Sequence, residues 1–342
     1  METAATFMIR RILFINSLRF DYLEDLLFAG LTESLGAENV VCYPVNYHYY
    51  FSKYDYPKNI GQCRAPRMYF ADLFTLNNRL GKFEFDAVVI GSTKEDAFCS
   101  YMKIADSLPK GIPIVYIDGG DMPEIGGDAA RMNFASLFDE VCKQRRIDLI
   151  FKRECLIGKK YPPHVFPLPF AFCPVDFHPR VSGKRYQVVF WAVESDPIRT
   201  KALNLVENKY DCKENGTTTG QVFKSYKRRG KFFLEELASS KIAYNFKGVG
   251  WDTLRYWEIP GVSTFMVSGV PRIKIPHNFN DKEHVVFCRD DLSDLLPLTD
   301  YYLNHEEERE EIAQNGAAHV NLFHTYIQRA RYFLEICNEH FH

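Results

Sequence analysis

Three charged residues stand at successive three-residue steps in the second half of the chain: Asp252, Arg255 and Glu258. On a helix such steps share one edge, with Trp251, Leu254 and Trp257 as an apolar stripe beside it. Arg255 offers a planar two-pronged donor that suits a diphosphate, and Glu258 an acceptor that suits the two hydroxyls of a ribose. The same charges can pair with one another on a solvated face, and spacing leaves both readings open. Lys247, Gly248 and Gly250 come just before them. The glycines let backbone N–H groups approach a ligand closely, and a helix starting there aims its partly positive end at the same place. Arg199 and Lys201 are two more cations suited to a diphosphate, with ordinary surface charge as the alternative. Asp118 and Asp121 flank two glycines behind a strongly apolar run. Either carboxylate can hold an acceptor hydroxyl, and Asp121 can take its proton; a helix cap and a plain turn are the simpler use.

The elements that must position these residues follow an α/β pattern. Apolar runs at 9–16, 39–43, 86–91, 112–117 and 147–151 read as buried strands, with helical spacing at 23–35, 72–80 and 94–107. Ser17, Arg19 and Asp21 fill the loop after the first strand, where a doubly wound fold gathers its ligands. That loop has no G-x-G-x-x-G, which counts against a dinucleotide site in this half. Asp118 and Asp121 sit beyond a later strand at the same end. A proline-rich connector at 173–184 separates a first domain, 1–172, from a second, 185–322, where YQVVFW restarts the same pattern. There Tyr244–Lys274 reads as strand, glycine loop, helix and strand. Asn315-Gly316 reads as a helix end, with a last helix from about Val320 to Asn338. His319 and His324 near its start read as core or capping residues rather than metal ligands.

Composition narrows the class. At 342 residues with 46% hydrophobic and 25% charged residues, the chain has the size and core of two globular domains. A net charge of −2 gives no general attraction to nucleic acid or anionic membranes. Nine scattered cysteines without a C-x-x-C pair favour reduced thiols and a cytoplasmic setting, and no run is long enough for a membrane span. Between 43 and 70, tyrosines and phenylalanines alternate with Lys53, Lys58, Arg64 and Arg67. Such a stretch can stack rings and hold phosphates as an acceptor surface, or simply cover a core edge. The cations at 224–231 form a basic cluster whose plain reading is a solvated face.

The run Arg255, Glu258, Ile259, Pro260, Gly261, followed by a hydrophobic strand, a glycine turn and PRIKIPHNF, resembles the donor-binding core of group 1 glycosyltransferases. It is most similar to the branch related to the spore maturation protein CgeB, and VVFCRDDLSDLL, Asn315-Gly316 and HTYIQRARYFL extend the likeness. The resemblance implies a GT-B fold: two Rossmann-like domains facing a central cleft, with a terminal helix, 323–342, packing back on the first domain. It implies transfer of a sugar from a nucleotide-diphosphate sugar to an acceptor hydroxyl. Glu258 matches the second of two family glutamates, the one that holds the ribose. The first is missing, since Lys247 stands before the Gly248 loop.

The expected enzyme is therefore a metal-independent glycosyltransferase without a cofactor. Arg199, Lys201, Lys247, Gly248, Gly250, Arg255 and Glu258 form its donor site. Ser17, Arg19 and Asp21 lie on the acceptor side, and Asp118 and Asp121 are the catalytic carboxylates. Inversion needs Asp121 as base; retention lets the leaving phosphate take the proton. The acceptor, whether glycan, protein, small molecule or nucleic acid, is not written in these residues. A DNA glycosyltransferase using 43–70, a nucleotide-sugar epimerase and a non-catalytic nucleotide-sugar-binding protein are the alternatives.

Overall fold

The computed structural model describes residues 8–46, 72–82, 84–174, 183–221 and 230–341. The aromatic and basic stretch at 47–70, part of the connector (175–182) and the cations at 224–229 lie outside them. The chain forms two compact units, unit 1 from the described residues within 8–169 and 326–341, and unit 2 from those within 170–325.

Unit 1 is built in the order β1 (Ile12–Ile15), α1 (Tyr22–Leu35), β2 (Val40–Tyr43), α2 (Leu73–Gly81), β3 (Ala87–Ile90), α3 (Glu95–Met102), β4 (Ile114–Asp118), α4 (Gly127–Arg131), α5 (Ala135–Gln144), β5 (Leu149–Lys152) and β6 (Val165–Pro167). Its strands are parallel in the order β2-β1-β3-β4-β5-β6. Strands β1 to β5 are buried along their whole length, which is why they read as unbroken apolar runs. The winding direction changes between β1 and β3, so the loops after those two strands diverge there.

Unit 2 continues with β7 (Tyr186–Val189), α6 (Pro197–Val206), α7 (Cys212–Asn215), α8 (Gly230–Ala238), β8 (Ser240–Asn245), α9 (Leu254–Gly261), β9 (Phe265–Ser268), β10 (Val286–Phe287), α10 (Leu295–Asn304) and α11 (Glu306–Phe323). Four parallel strands run in the order β10-β9-β8-β7. Two local expectations are corrected. Helix α9 starts at Leu254 behind the Thr253 cap, so Trp251 and Asp252 belong to the loop before it. Helix α11 runs straight through Asn315-Gly316: a Cβ on Gly316 would sit 2.5 Å from the His284 carbonyl, so this glycine serves close packing rather than a helix end.

The chain returns to unit 1 in α12 (Tyr326–His340). Its buried residues Tyr326, Arg329, Ala330, Phe333 and Cys337 repeat at helical spacing and form the docking face. Phe333 meets Phe151 at 4.7 Å between ring centroids, and the Ile9 N–H donates to Asn338 Oδ1 at 2.8 Å. On α1 the contact is made by Gly30, where an added Cβ would lie 2.3 Å from the Tyr326 carbonyl oxygen. Gly30→Ala is therefore expected to lift α12 and cost about 1–3 kcal/mol, as overpacking does. Thermal unfolding compared with Gly81→Ala, where nothing lies within 4 Å, checks this; equal melting temperatures for the two variants would refute it.

Candidate functional site

The carboxyl ends of β7, β8, β9 and β10 carry a built site in unit 2. The strand-end loops are laced together, Gly269 N–H donating to the Asn245 carbonyl at 3.1 Å and Cys288 N–H to that of Ser268 at 2.9 Å. Beyond them lies a pocket of about 270 Å³ whose walls include Asn245, Lys247, Trp251, Val270, Pro271 and Arg289. Lys247 lines it too, with Nζ 2.8 Å from Asp196 Oδ2 and 5.1 Å from the Trp251 ring centre. Lys201 stands on α6 in a wider groove and donates to the Asp291 carbonyl at 2.8 Å.

Arg199 is buried, and its guanidinium faces backbone. It donates to the carbonyls of Lys247 (2.8 Å), Phe246 (3.0 Å) and Val193 (2.8 Å), and to Ser195 Oγ (3.1 Å). The residue read from the sequence as a diphosphate ligand thus fastens the loop after β7 to the loop after β8. Gly248 lies directly over it: a Cβ there would be 2.9 Å from Arg199 Nη2. The Gly248 N–H donates to the Gly250 carbonyl at 2.9 Å, so that amide is engaged within the loop.

Helix α9 begins with Thr253 accepting from the Tyr256 N–H. Asp252 is buried and ties the helix start down, accepting from Phe170 N–H at 2.6 Å and Trp257 Nε1–H at 2.9 Å. It does not share a surface edge with the next two charges. Arg255, half-buried, stands 6.0 Å from the Phe190 ring centre just past β7. Glu258 follows one turn on and is only 5% exposed. Behind the helix, His319 and His324 each donate from Nε2 to the His277 carbonyl, at 2.6 and 2.8 Å, because a carbonyl only accepts. Among the described residues no group of three or more His, Cys, Asp or Glu is arranged to hold a metal ion.

In unit 1 the carboxylates stand where expected, beyond β4, but in company the sequence did not announce. Asp118 and Lys152 are both fully buried, with Nζ 3.0 Å from Oδ1, and Asp118 Oδ2 accepts the Gly126 N–H at 3.0 Å. Burial raises the Asp118 pKa, partly opposed by the ammonium beside it. Asp121 is paired with Arg153 and, at 3.5 Å, with Arg131. At the β1 end, Ser17 is buried and donates to Asp96, while Asp21 caps α1 and accepts from Ser92 Oγ at 2.7 Å. Arg19 is exposed. Among the described residues seven cysteines are free and Cys173 is disulfide-bonded, which corrects the expectation of reduced thiols throughout.

Residues 212–335 match a family model described as glycosyl transferase-like. That span holds α9, the strands on either side of it and the pocket lining other than Ile198. No curated protein matches the sequence. Among solved structures, Anabaena HepE with UDP-glucose covers 96% of this chain and 99% of its own, at 8% identity and a TM-score of 0.55. An alpha-glucosyltransferase solved with UDP and a 13-mer DNA covers 96% and 100%, at 11% identity and a TM-score of 0.59. Sucrose-phosphate synthase from Thermosynechococcus elongatus covers 96% and 98%, at 9% identity and a TM-score of 0.53. At such identities the likeness establishes the fold, and the fold is GT-B.

Proposed function

We propose that this protein is a glycosyltransferase of the CgeB-related branch, moving a sugar from a nucleotide-diphosphate sugar to an acceptor hydroxyl. The observation that carries the reading is the convergence at one sheet edge of an aromatic-walled pocket and the helix bearing Arg255 and Glu258. The base fits the pocket beside Trp251, and Glu258 accepts from the ribose hydroxyls. Arg255 and the N–H groups opening α9 stabilise charge growing on the departing diphosphate, so the chemistry needs no metal. Lys247 and Lys201 add positive charge around the rim, and Arg199 holds both loops in register for them.

Unit 1 serves the acceptor. With the guanidiniums of Arg153 and Arg131 on its oxygens, Asp121 is already engaged and suits orienting an acceptor hydroxyl better than removing its proton. Transfer in which the leaving phosphate takes that proton fits this arrangement. The acceptor class spans glycans, proteins, small molecules and nucleic acid; one neighbour was solved with DNA. No described helix is long and apolar enough to cross a membrane, and a cytoplasmic enzyme remains the proposal.

The test is a thermal-shift series against nucleoside diphosphates and their sugars. A ligand bound only by the folded protein stabilises it by about 2.7 kcal/mol at a hundredfold excess over its dissociation constant. A rise in melting temperature that is lost in Glu258→Ala supports the donor site. No shift with any nucleotide refutes it.

A further inference from the structure

We propose that Asn245 selects the base of the nucleotide by donating an amide N–H to a ring carbonyl, so that the ligand carries an oxo base such as uracil or guanine. This inference rests on the donor-site reading above and names the ligand class for it. Asn245 ends β8, lines the pocket and is nevertheless only 3% exposed. Its amide is set by a one-way chain of hydrogen bonds. The Thr253 hydroxyl accepts from Tyr256 N–H as the cap of α9, so its own proton goes to Asn245 Oδ1, 2.6 Å away. With the oxygen accepting there, Nδ2 faces the other way and donates to Ser268 Oγ at 3.1 Å. Ser268 passes its proton on to the Gly269 carbonyl at 2.9 Å.

Two consequences follow from this chain. Nδ2 carries two hydrogens, and only one has a partner among the described residues. The second hydrogen is left for water or for an acceptor on a ligand in the pocket that Asn245 lines. Secondly, this orientation of the amide is the better-satisfied one, because turning it over would leave the Thr253 hydroxyl proton without Asn245 Oδ1 as its acceptor and draw the Ser268 proton away from the Gly269 carbonyl. Trp251, Phe246, Val270 and Pro271 supply walls for a flat ring. Uracil and cytosine differ in one exocyclic group, oxo against amino; guanine and adenine differ in the same way at the six-position, and guanine also carries a 2-amino group. A fixed donor matches the oxo member of each pair and opposes the amino member.

Dissociation constants for UDP against CDP and for GDP against ADP, measured calorimetrically in wild type, Asn245→Asp and Thr253→Val, test this. Wild type is expected to prefer the oxo member of the pair it binds by about tenfold or more. Asn245→Asp keeps the shape but has only acceptors, so the preference disappears or inverts. Thr253→Val releases the amide orientation and shrinks the ratio; it carries the test alone if Asn245→Asp does not fold. A variant that weakens both members equally gives Asn245 a purely structural role and overturns the inference, as does a wild-type ratio near one. If wild type binds no nucleoside diphosphate at all, the donor-site reading itself fails and takes this one with it.

Discussion

Arg255→Ala is expected to slow release of the nucleoside diphosphate from a donor sugar about 100- to 1,000-fold, the usual loss when one fixed donor to a developing anion is removed. The expectation rests on where the helix puts the side chain. Thr253 caps α9 and Asp252 ties its first turn to Phe170, so Arg255 projects from a start that cannot drift. It is half-buried beside Phe190, where low dielectric strengthens its field and the ring limits its rotamers. Lysine at this place should recover only part of the rate, since a compact ammonium cannot meet two phosphate oxygens in the plane of a fork. Donor hydrolysis without acceptor, followed by nucleotide release, supplies the measurement. A variant within threefold of wild type would leave Arg255 a packing residue and move the diphosphate elsewhere.

Lys152→Met is expected to cost about 3–5 kcal/mol, because it leaves Asp118 as a buried carboxylate without its counter-charge. The double variant Lys152→Met, Asp118→Leu should regain most of that stability: removing both charges removes the desolvation that each imposes. The pH dependence separates this from a simple packing defect. Burial already raises the Asp118 pKa above the usual carboxylate range, and loss of the ammonium raises it further. A carboxyl whose folded value exceeds its unfolded one binds more protons in the folded state, so stability falls as pH rises between the two values. The single variant should therefore be less impaired at pH 5 than at pH 7, whereas a cavity would cost the same at both. Denaturant unfolding at the two pH values decides it.

Much of the architecture was legible because buried parallel strands write themselves as apolar runs. ILFI, AVVI and IVYID needed no tertiary information, and YQVV announced a second sheet. The placement of Arg255 and Glu258 one turn apart on a single helix was legible too, because residues three apart share a helix face. What could not be read depends on contacts made at a distance. Arg199 looks like a phosphate ligand until the chain 47 residues later places the Phe246 carbonyl beside its guanidinium. Asp252 looks like the head of a charged edge until Phe170, 82 residues earlier, claims it. The arginines on Asp121 come from α4 and from the residue after β5, and no local pattern joins them. Asn245 had a faint signal, a polar amide closing an apolar strand before a glycine loop, and its two neighbours in the chain of hydrogen bonds lie on separate elements.

The return of α12 to α1 also sets an order of events during synthesis. Unit 2 is inserted within the sequence of unit 1, so the ribosome makes residues 170–325 before it makes the helix that covers Gly30. At translation rates of about 5–20 residues per second, this leaves roughly 10 to 30 s in which six strands can pair while one face of α1 stays bare. Unit 2, whose elements are contiguous, can finish first, although it begins second. A nascent chain paused in that interval carries an apolar surface where the mature protein has a helix, and there a chaperone has both the reason and the time to bind.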